Sequence, residues 1–155
     1  VFQFHQLLPE FTALENVMIP ALIRKTSSSE AKKRAKEILA FLNLSDRSQH
    51  KPAQLSGGEK QRLAFARLWF ENPELVVLDE ATSAMDNLTE ENVMKSVMLK
   101  MKDKTVIAIA HRLNSIAGFD RIILFREGKI VGQGTFEELL HTDSYFKELY
   151  NANVQ

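Results

Sequence analysis

The chain has 155 residues, with 20 basic and 20 acidic side chains and no cysteine. Balanced charge gives no general attraction to nucleic acid, and the lack of cysteine excludes disulfides, thiolate metal ligands and a cysteine nucleophile. No apolar run approaches the roughly 20 residues that span a bilayer. We therefore predict a soluble domain that can still dock on a membrane partner.

Residues 12–72 have helical patterns only. Three helices are predicted over residues 12–23, 30–42 and 57–70. Thr12 and Glu15 have the spacing of a capping box, and Pro20 predicts a kink or a break in the first helix. The basic residues of the second helix lie mostly outside its apolar stripe, which favours a solvated face over an interaction patch.

The second half alternates strands with helices. Strands are predicted at residues 75–78, 105–110, 122–125 and 129–131, and helices at 88–101, 136–141 and 144–151. The first two strands are continuous apolar runs, which predicts burial on both faces, as in a parallel sheet. Glu127-Gly128 predicts a hairpin turn. The pattern indicates an α/β class with three parts: a strand and loop (1–11), a helical subdomain (12–72) and an α/β core with a C-terminal hairpin and helices (73–155).

The segment Leu55-Ser56-Gly57-Gly58-Glu59 has the composition of a phosphate-binding turn. Adjacent glycines let a backbone approach a ligand closely, and a helix that begins there points unpaired N–H groups outward. Ser56 adds a hydroxyl. For this turn alone, a simple helix cap is the better interpretation, so that alternative stays open at this point.

Acidic residues at the end of a predicted strand favour the phosphate interpretation. Asp79 and Glu80 follow an apolar run and would enter the crevice where α/β sheets bind ligands. Asp79 can hold Mg²⁺, directly or through water, and Glu80 can polarise a water for attack on a phosphoryl group. His111 follows the next strand, where an imidazole could contact a terminal phosphate.

These motifs, in this order, resemble the ATPase domain of ABC transporters over the whole chain. The resemblance implies a partial P-loop NTPase-like parallel sheet with an inserted helical subdomain, and ATP and Mg²⁺ as cofactors. By this resemblance, Gln3 is the Q-loop glutamine, which senses the metal and the attacking water. The signature loop consists of Ser56, Gly57, Gly58 and Glu59, and the Walker B pair consists of Asp79 and Glu80. Asp86 is the D-loop aspartate, and His111 is the switch histidine. Glu59 replaces the usual glutamine and Met85 the usual leucine; both look like tolerated variants.

The resemblance also implies partners. Two such domains would pair head to tail, with each ATP between one subunit's phosphate-binding loop and the other's signature loop. Residues 5–20 are the candidate docking patch for a transmembrane subunit, which would place the domain peripherally on the cytoplasmic face of the inner membrane; ordinary subdomain packing is the alternative. No nucleic-acid partner is expected. Residues 4–17 resemble the ATPases of lipoprotein release and macrolide efflux, and residues 132–140 resemble fused exporters, so we predict an export type.

One family motif, the Walker A loop G-x-x-x-x-G-K-[ST], does not occur in the sequence. Because the chain begins at Val1 inside a predicted strand, we expect that a segment N-terminal to it is missing. We predict that the 155-residue chain alone does not measurably hydrolyse ATP, and that a sheet edge and an apolar face are left uncovered. A non-catalytic interaction fragment and a non-transport ABC ATPase remain the alternatives.

Overall fold

The computed structural model describes residues 7–79, 87–109 and 112–153. The helices of this part are α1 (Ala13–Ile23), α2 (Ser28–Phe41), α3 (Gly57–Glu71), α4 (Asn87–Lys100), α5 (Phe136–Thr142) and α6 (Ser144–Asn153), and the strands are β1 (Leu75–Asp79), β2 (Thr105–Ile109), β3 (Ile122–Arg126) and β4 (Lys129–Gly134). The chain forms two compact units, residues 1–107 and 108–155. The predicted three-part division stays a prediction. None of the described helices combines the length and apolarity that crossing a bilayer requires.

Helices α1, α2 and α3 pack against one another in the first unit. The predicted capping box is confirmed: the Thr12 hydroxyl accepts from the Glu15 amide, and the Glu15 carboxylate accepts from the Thr12 amide at 2.7 Å. A kink or a break was predicted at Pro20: the break does not occur, because α1 continues to Ile23, and the kink stays a prediction. Proline removes a single intrahelical hydrogen bond, and packing of the buried Val17 and Ala21 against the neighbouring helices keeps the helix continuous.

The basic residues of α2 are confirmed as an exposed face: Lys32, Lys33, Arg34 and Lys36 are all exposed, whereas Ala35 and Leu39 are completely buried. Apolar residues at three- and four-residue steps form the single stripe that meets the other helices. Lys32, Lys33 and Lys36 therefore face solvent, as the pattern predicts, whereas Arg34 also donates to the Trp69 carbonyl at 3.3 Å and lies over the Phe70 ring.

Strands β1 and β2 are neighbours in a two-stranded parallel sheet, with α4 as the crossover between them. The prediction that both strands are buried on both faces is wrong. Val76 and Leu78 are buried, but Leu75 is 56% exposed, and Ile107 and Ile109 are 52% and 55% exposed. Side chains of a strand alternate between the two faces of a sheet, and the described residues cover only one of these faces. The predicted uncovered apolar face is thus confirmed.

The second unit is built on the hairpin of β3 and β4. The strands pair antiparallel and end with Arg126 opposite Lys129. Glu127 and Gly128 both have positive φ, 50° and 74°, which is the backbone of a tight hairpin turn and confirms the predicted one. The core of this unit consists of Leu113, Ile122, Leu124, Leu139 and Phe146, with Phe146 completely buried.

Candidate functional site

The Ser56 turn forms the exposed start of α3. Leu55 is buried, whereas Ser56 and Gly57 are exposed and Gly58 is half-buried. The Ser56 hydroxyl accepts from the Glu59 amide at 3.2 Å, and a hydrogen bond between the Ser56 side chain and the Glu59 carboxylate contributes to the lowered pKa of Glu59. The amides of Gly57 and Gly58 occupy the first two helical positions and have no intrahelical acceptor. Two backbone donors and the positive end of the helix dipole therefore face outward beside the Ser56 side chain, as an anion site requires.

Glu59 shapes this turn from within. Its Oε2 accepts from the Ser56 amide at 2.7 Å, which completes a capping box, and its Oε1 accepts from Arg47 Nε at 2.9 Å. The Ser56 backbone hydrogen bond, followed by the Arg47 hydrogen bond, lowers the pKa of Glu59 to about 2. The carboxylate stays ionised at neutral pH, and both of its oxygens contact the protein. A direct contact of Glu59 with a nucleotide stays a prediction.

Asp79 is the last residue of β1 and is half-buried directly after the buried Leu78. Its position at the carboxyl end of a strand is the predicted one. A single carboxylate there suits Mg²⁺, which usually takes one or two protein carboxylates and completes its shell with water and substrate phosphates. The outward-facing amides of the Ser56 turn suit the phosphates themselves. The exposed amides thus fit the phosphates of ATP, and Asp79 offers one ligand of the kind that Mg²⁺ takes; the binding of Mg²⁺ stays a prediction.

The remaining predicted site residues, Gln3, Glu80, Asp86 and His111, lie outside the described residues, and their roles stay predictions. Of the placed residues, Ser56 begins α3 and Asp79 ends the strand that follows that helix. Their predicted meeting on one triphosphate involves a second subunit and also stays a prediction.

Sequence reasoning missed the role of Asn16, which is completely buried on α1. Its Oδ1 accepts from the Leu8 amide at 2.8 Å, and its Nδ2 donates to the carbonyls of Leu8, Phe11 and Thr12 at 3.0–3.1 Å. Asn16 therefore fixes the segment before α1, which belongs to the candidate docking patch. An amide side chain within the apolar stripe of a helix was the available signal.

Replacing Asn16 by Ala in the full-length protein that carries this chain is expected to lower the free energy of unfolding by about 2–4 kcal/mol, because buried amide and carbonyl groups lose their partners. Urea unfolding measures the change. The matched control is Asn151→Ala on an exposed position of α6, which should change stability by less than about 0.5 kcal/mol. Equal effects of the two substitutions would show that Asn16 does not hold the segment.

The fold defines the class of protein: it is an α/β protein whose parallel sheet is consistent with a partial P-loop NTPase-like fold. The sequence profile of the ABC transporter family matches residues 1–83. The chain belongs to the ABC transporter family.

Relatives give the same assignment. The chain is 45% identical over 134 residues to the lipoprotein-releasing system ATP-binding protein LolD of Syntrophotalea carbinolica, a match that covers 85% of this chain and 59% of that protein. The chain thus spans well under two thirds of the length of this relative.

Two solved structures confirm the fold. The first is the dimeric post-hydrolysis state of an ATP-binding cassette bound to ADP and Pi; it has a TM-score of 0.77 and 38% identity, and the match covers 87% of this chain and 61% of that one. The second, a bacterial Atm1-family ABC exporter with ATP bound, has a TM-score of 0.81 and 28% identity, and the match covers 96% of this chain and 27% of that one.

Proposed function

We propose that the chain is the signature-bearing part of the ATP-binding subunit of an ABC transporter, and that the full-length protein hydrolyses ATP with Mg²⁺. One observation carries the proposal: in a chain of this family, the Ser56-Gly57-Gly58 turn lies exposed at the start of α3, with its donors directed outward. A turn that served only as a helix cap would not need two adjacent glycines at an exposed surface.

In the proposed reaction, the protein acts chiefly by positioning groups and neutralising charge around the transferred phosphoryl group. The Ser56 hydroxyl and the amides of Gly57 and Gly58 donate to phosphate oxygens. Asp79 would hold Mg²⁺, which would neutralise phosphate charge when bound. Glu80 orients and polarises the attacking water.

The other predicted site residues complete the site. We assign Gln3 the sensing of the metal and of the attacking water, His111 a contact with the terminal phosphate, and Asp86 the position of the D-loop aspartate. Pairing is head to tail, so that Ser56 serves the ATP held by the opposite subunit. The dimeric state of the cassette solved with ADP and Pi supports a paired arrangement.

The docking proposal rests on the surface before and along the start of α1. Within residues 5–20, Leu8 is 41% exposed and Phe11 is 39% exposed, although both are large apolar side chains. Asn16 holds the backbone that carries them in one conformation. A fixed apolar surface of this kind suits a helix from a transmembrane subunit, which would hold the protein at the cytoplasmic face of the inner membrane.

Lipoprotein release is the transport type that we propose, since the relative with 45% identity carries that name. Release of a lipoprotein from a membrane differs from the export type that the sequence predicts. Export remains the second candidate, because a solved ABC exporter matches 96% of this chain with a TM-score of 0.81 and 28% identity.

The test uses the full-length protein with its transmembrane subunits in lipid vesicles that contain a fluorescent lipoprotein. We expect Mg²⁺-dependent ATP hydrolysis and ATP-dependent loss of lipoprotein from the vesicles. Hydrolysis without loss of lipoprotein would favour the export candidate. The absence of Mg²⁺-dependent hydrolysis from a folded, ATP-binding assembly would overturn the proposed enzyme function.

A further inference from the structure

The backbone around Arg47 is held firmly in place. The His50 amide donates to the Arg47 carbonyl at 2.9 Å. The first two amides of α1, from Ala13 and Leu14, donate to the carbonyls of His50 and Ser48 at 2.8 and 2.9 Å. These are helix-start amides, which have no acceptor inside their own helix. The segment that carries Arg47 is therefore attached to α1, and the Arg47 side chain extends from a backbone that hydrogen bonds hold in place.

From this point Arg47 reaches the Ser56 turn through Glu59. Arg47 Nε donates to Glu59 Oε1 at 2.9 Å, and the other carboxylate oxygen of Glu59 accepts from the Ser56 amide. The two side chains are 46% and 18% exposed, and ion pairs at such positions add little to stability. The pair can still influence the charge and the geometry of the turn.

The ion pair between Arg47 and Glu59 acts on the negative charge of Glu59. Glu59 is the third residue of α3 and follows directly after the outward-facing amides of Gly57 and Gly58. An unpaired carboxylate at this place would repel an approaching phosphate. The guanidinium of Arg47 offsets that charge and also fixes the carboxylate on the Ser56 amide.

We infer that Arg47 is a positioning residue for the Ser56 turn: it holds Glu59 against the Ser56 backbone and offsets the charge of Glu59 beside the triphosphate. The role rests on the proposed ATPase function. Glu59 departs from the glutamine that the resemblance leads one to expect, so the need for a cation at position 47 is tied to the glutamate of this chain.

A double-mutant cycle in the full-length protein tests the coupling. Arg47→Ala is expected to lower kcat/KM for MgATP about fivefold, since an unscreened carboxylate then faces the phosphate. Arg47→Lys should restore most of the loss. In a Glu59→Gln background, Arg47→Ala should change kcat/KM by less than about twofold, because no charge remains to offset.

Salt gives a second readout. The effect of Arg47→Ala should shrink as NaCl rises from about 50 to 500 mM, because ions screen exposed charges over a few ångströms at high salt. Arg24→Ala removes an equal charge from an exposed position outside the turn and should leave kcat/KM unchanged. The inference would be overturned if Arg47→Ala caused no loss in the otherwise unmutated protein, or a loss of the same size in the Glu59→Gln background.

Hydrogen exchange separates this inference from the proposed function. Arg47→Ala should speed exchange of the Ser56 amide several-fold, since the carboxylate that accepts from it is less well held, while the buried Leu68 amide should be unaffected. If the unmutated protein does not hydrolyse ATP, the proposed function fails, and the exchange rate alone decides whether Arg47 orders the turn. An unchanged Ser56 exchange rate would exclude the positioning role.

Discussion

Replacing Glu80 by Gln in the full-length protein is expected to reduce ATP hydrolysis by about 10²–10⁴-fold, the usual contribution of a general base. The amide keeps the size and shape of the side chain but cannot polarise the attacking water in the same way. ATP binding should stay within about twofold, because the proposed contacts with the phosphates come from other residues. Phosphate release under single-turnover conditions measures the first effect, and equilibrium binding of ATP measures the second.

The control for this experiment is Asp103→Asn, the same acid-to-amide change at an exposed position between α4 and β2. It should leave both hydrolysis and binding unchanged. If the Glu80→Gln protein hydrolysed ATP at the rate of the unmutated protein, the general base would be another residue. Parallel loss of binding and hydrolysis would instead indicate a damaged fold.

Features that depend on neighbouring residues in the sequence were predictable. A capping box needs only two side chains three positions apart, and both Thr12 with Glu15 and Ser56 with Glu59 form one. The turn at Glu127-Gly128 likewise follows from local backbone preferences. The exposed start of α3 was predictable for the same reason, because adjacent glycines offer no side chain that packing could bury.

Features that depend on packing partners were not predictable. The apolar run of β1 is compatible with a strand covered on one face of the sheet or on both. Only the structure shows that Leu75 is exposed and Val76 is buried. The continuity of α1 through Pro20 likewise depends on the helices packed against it. Contacts between distant positions were missed too: Arg47 meets Glu59 twelve residues away, and no local pattern indicates that pair.

The candidate site also combines features that the sequence predicts with features that it does not. The strand end at Asp79 and the Ser56 turn could be placed from the sequence, since each is the terminus of one element. Their proposed convergence on a shared triphosphate depends on symmetry between two subunits, which no local pattern contains. A functional experiment with mixed subunits tests that arrangement directly.

Two inactive variants of the full-length protein are expected to restore activity when mixed. Gly57→Asp places a carboxylate in the anion site, and an acidic residue in the first turn favours the helix dipole, so the fold should be retained. Loss of a donor site for the phosphates should reduce hydrolysis about 100-fold or more. Glu80→Gln leaves the Ser56 turn intact and removes the carboxylate that polarises the attacking water. Each variant alone should therefore be nearly inactive.

In a mixed dimer with head-to-tail pairing, the Glu80→Gln subunit supplies an intact Ser56 turn to the site that contains the other subunit's Glu80. One of the two sites is then complete. With random pairing, half of the dimers are mixed, so about one quarter of the normal activity should return if the sites act independently. If each site instead used Ser56 and Glu80 from the same chain, every site would stay defective, and mixing would restore nothing. Recovery therefore distinguishes a site shared between subunits from a site contained in one.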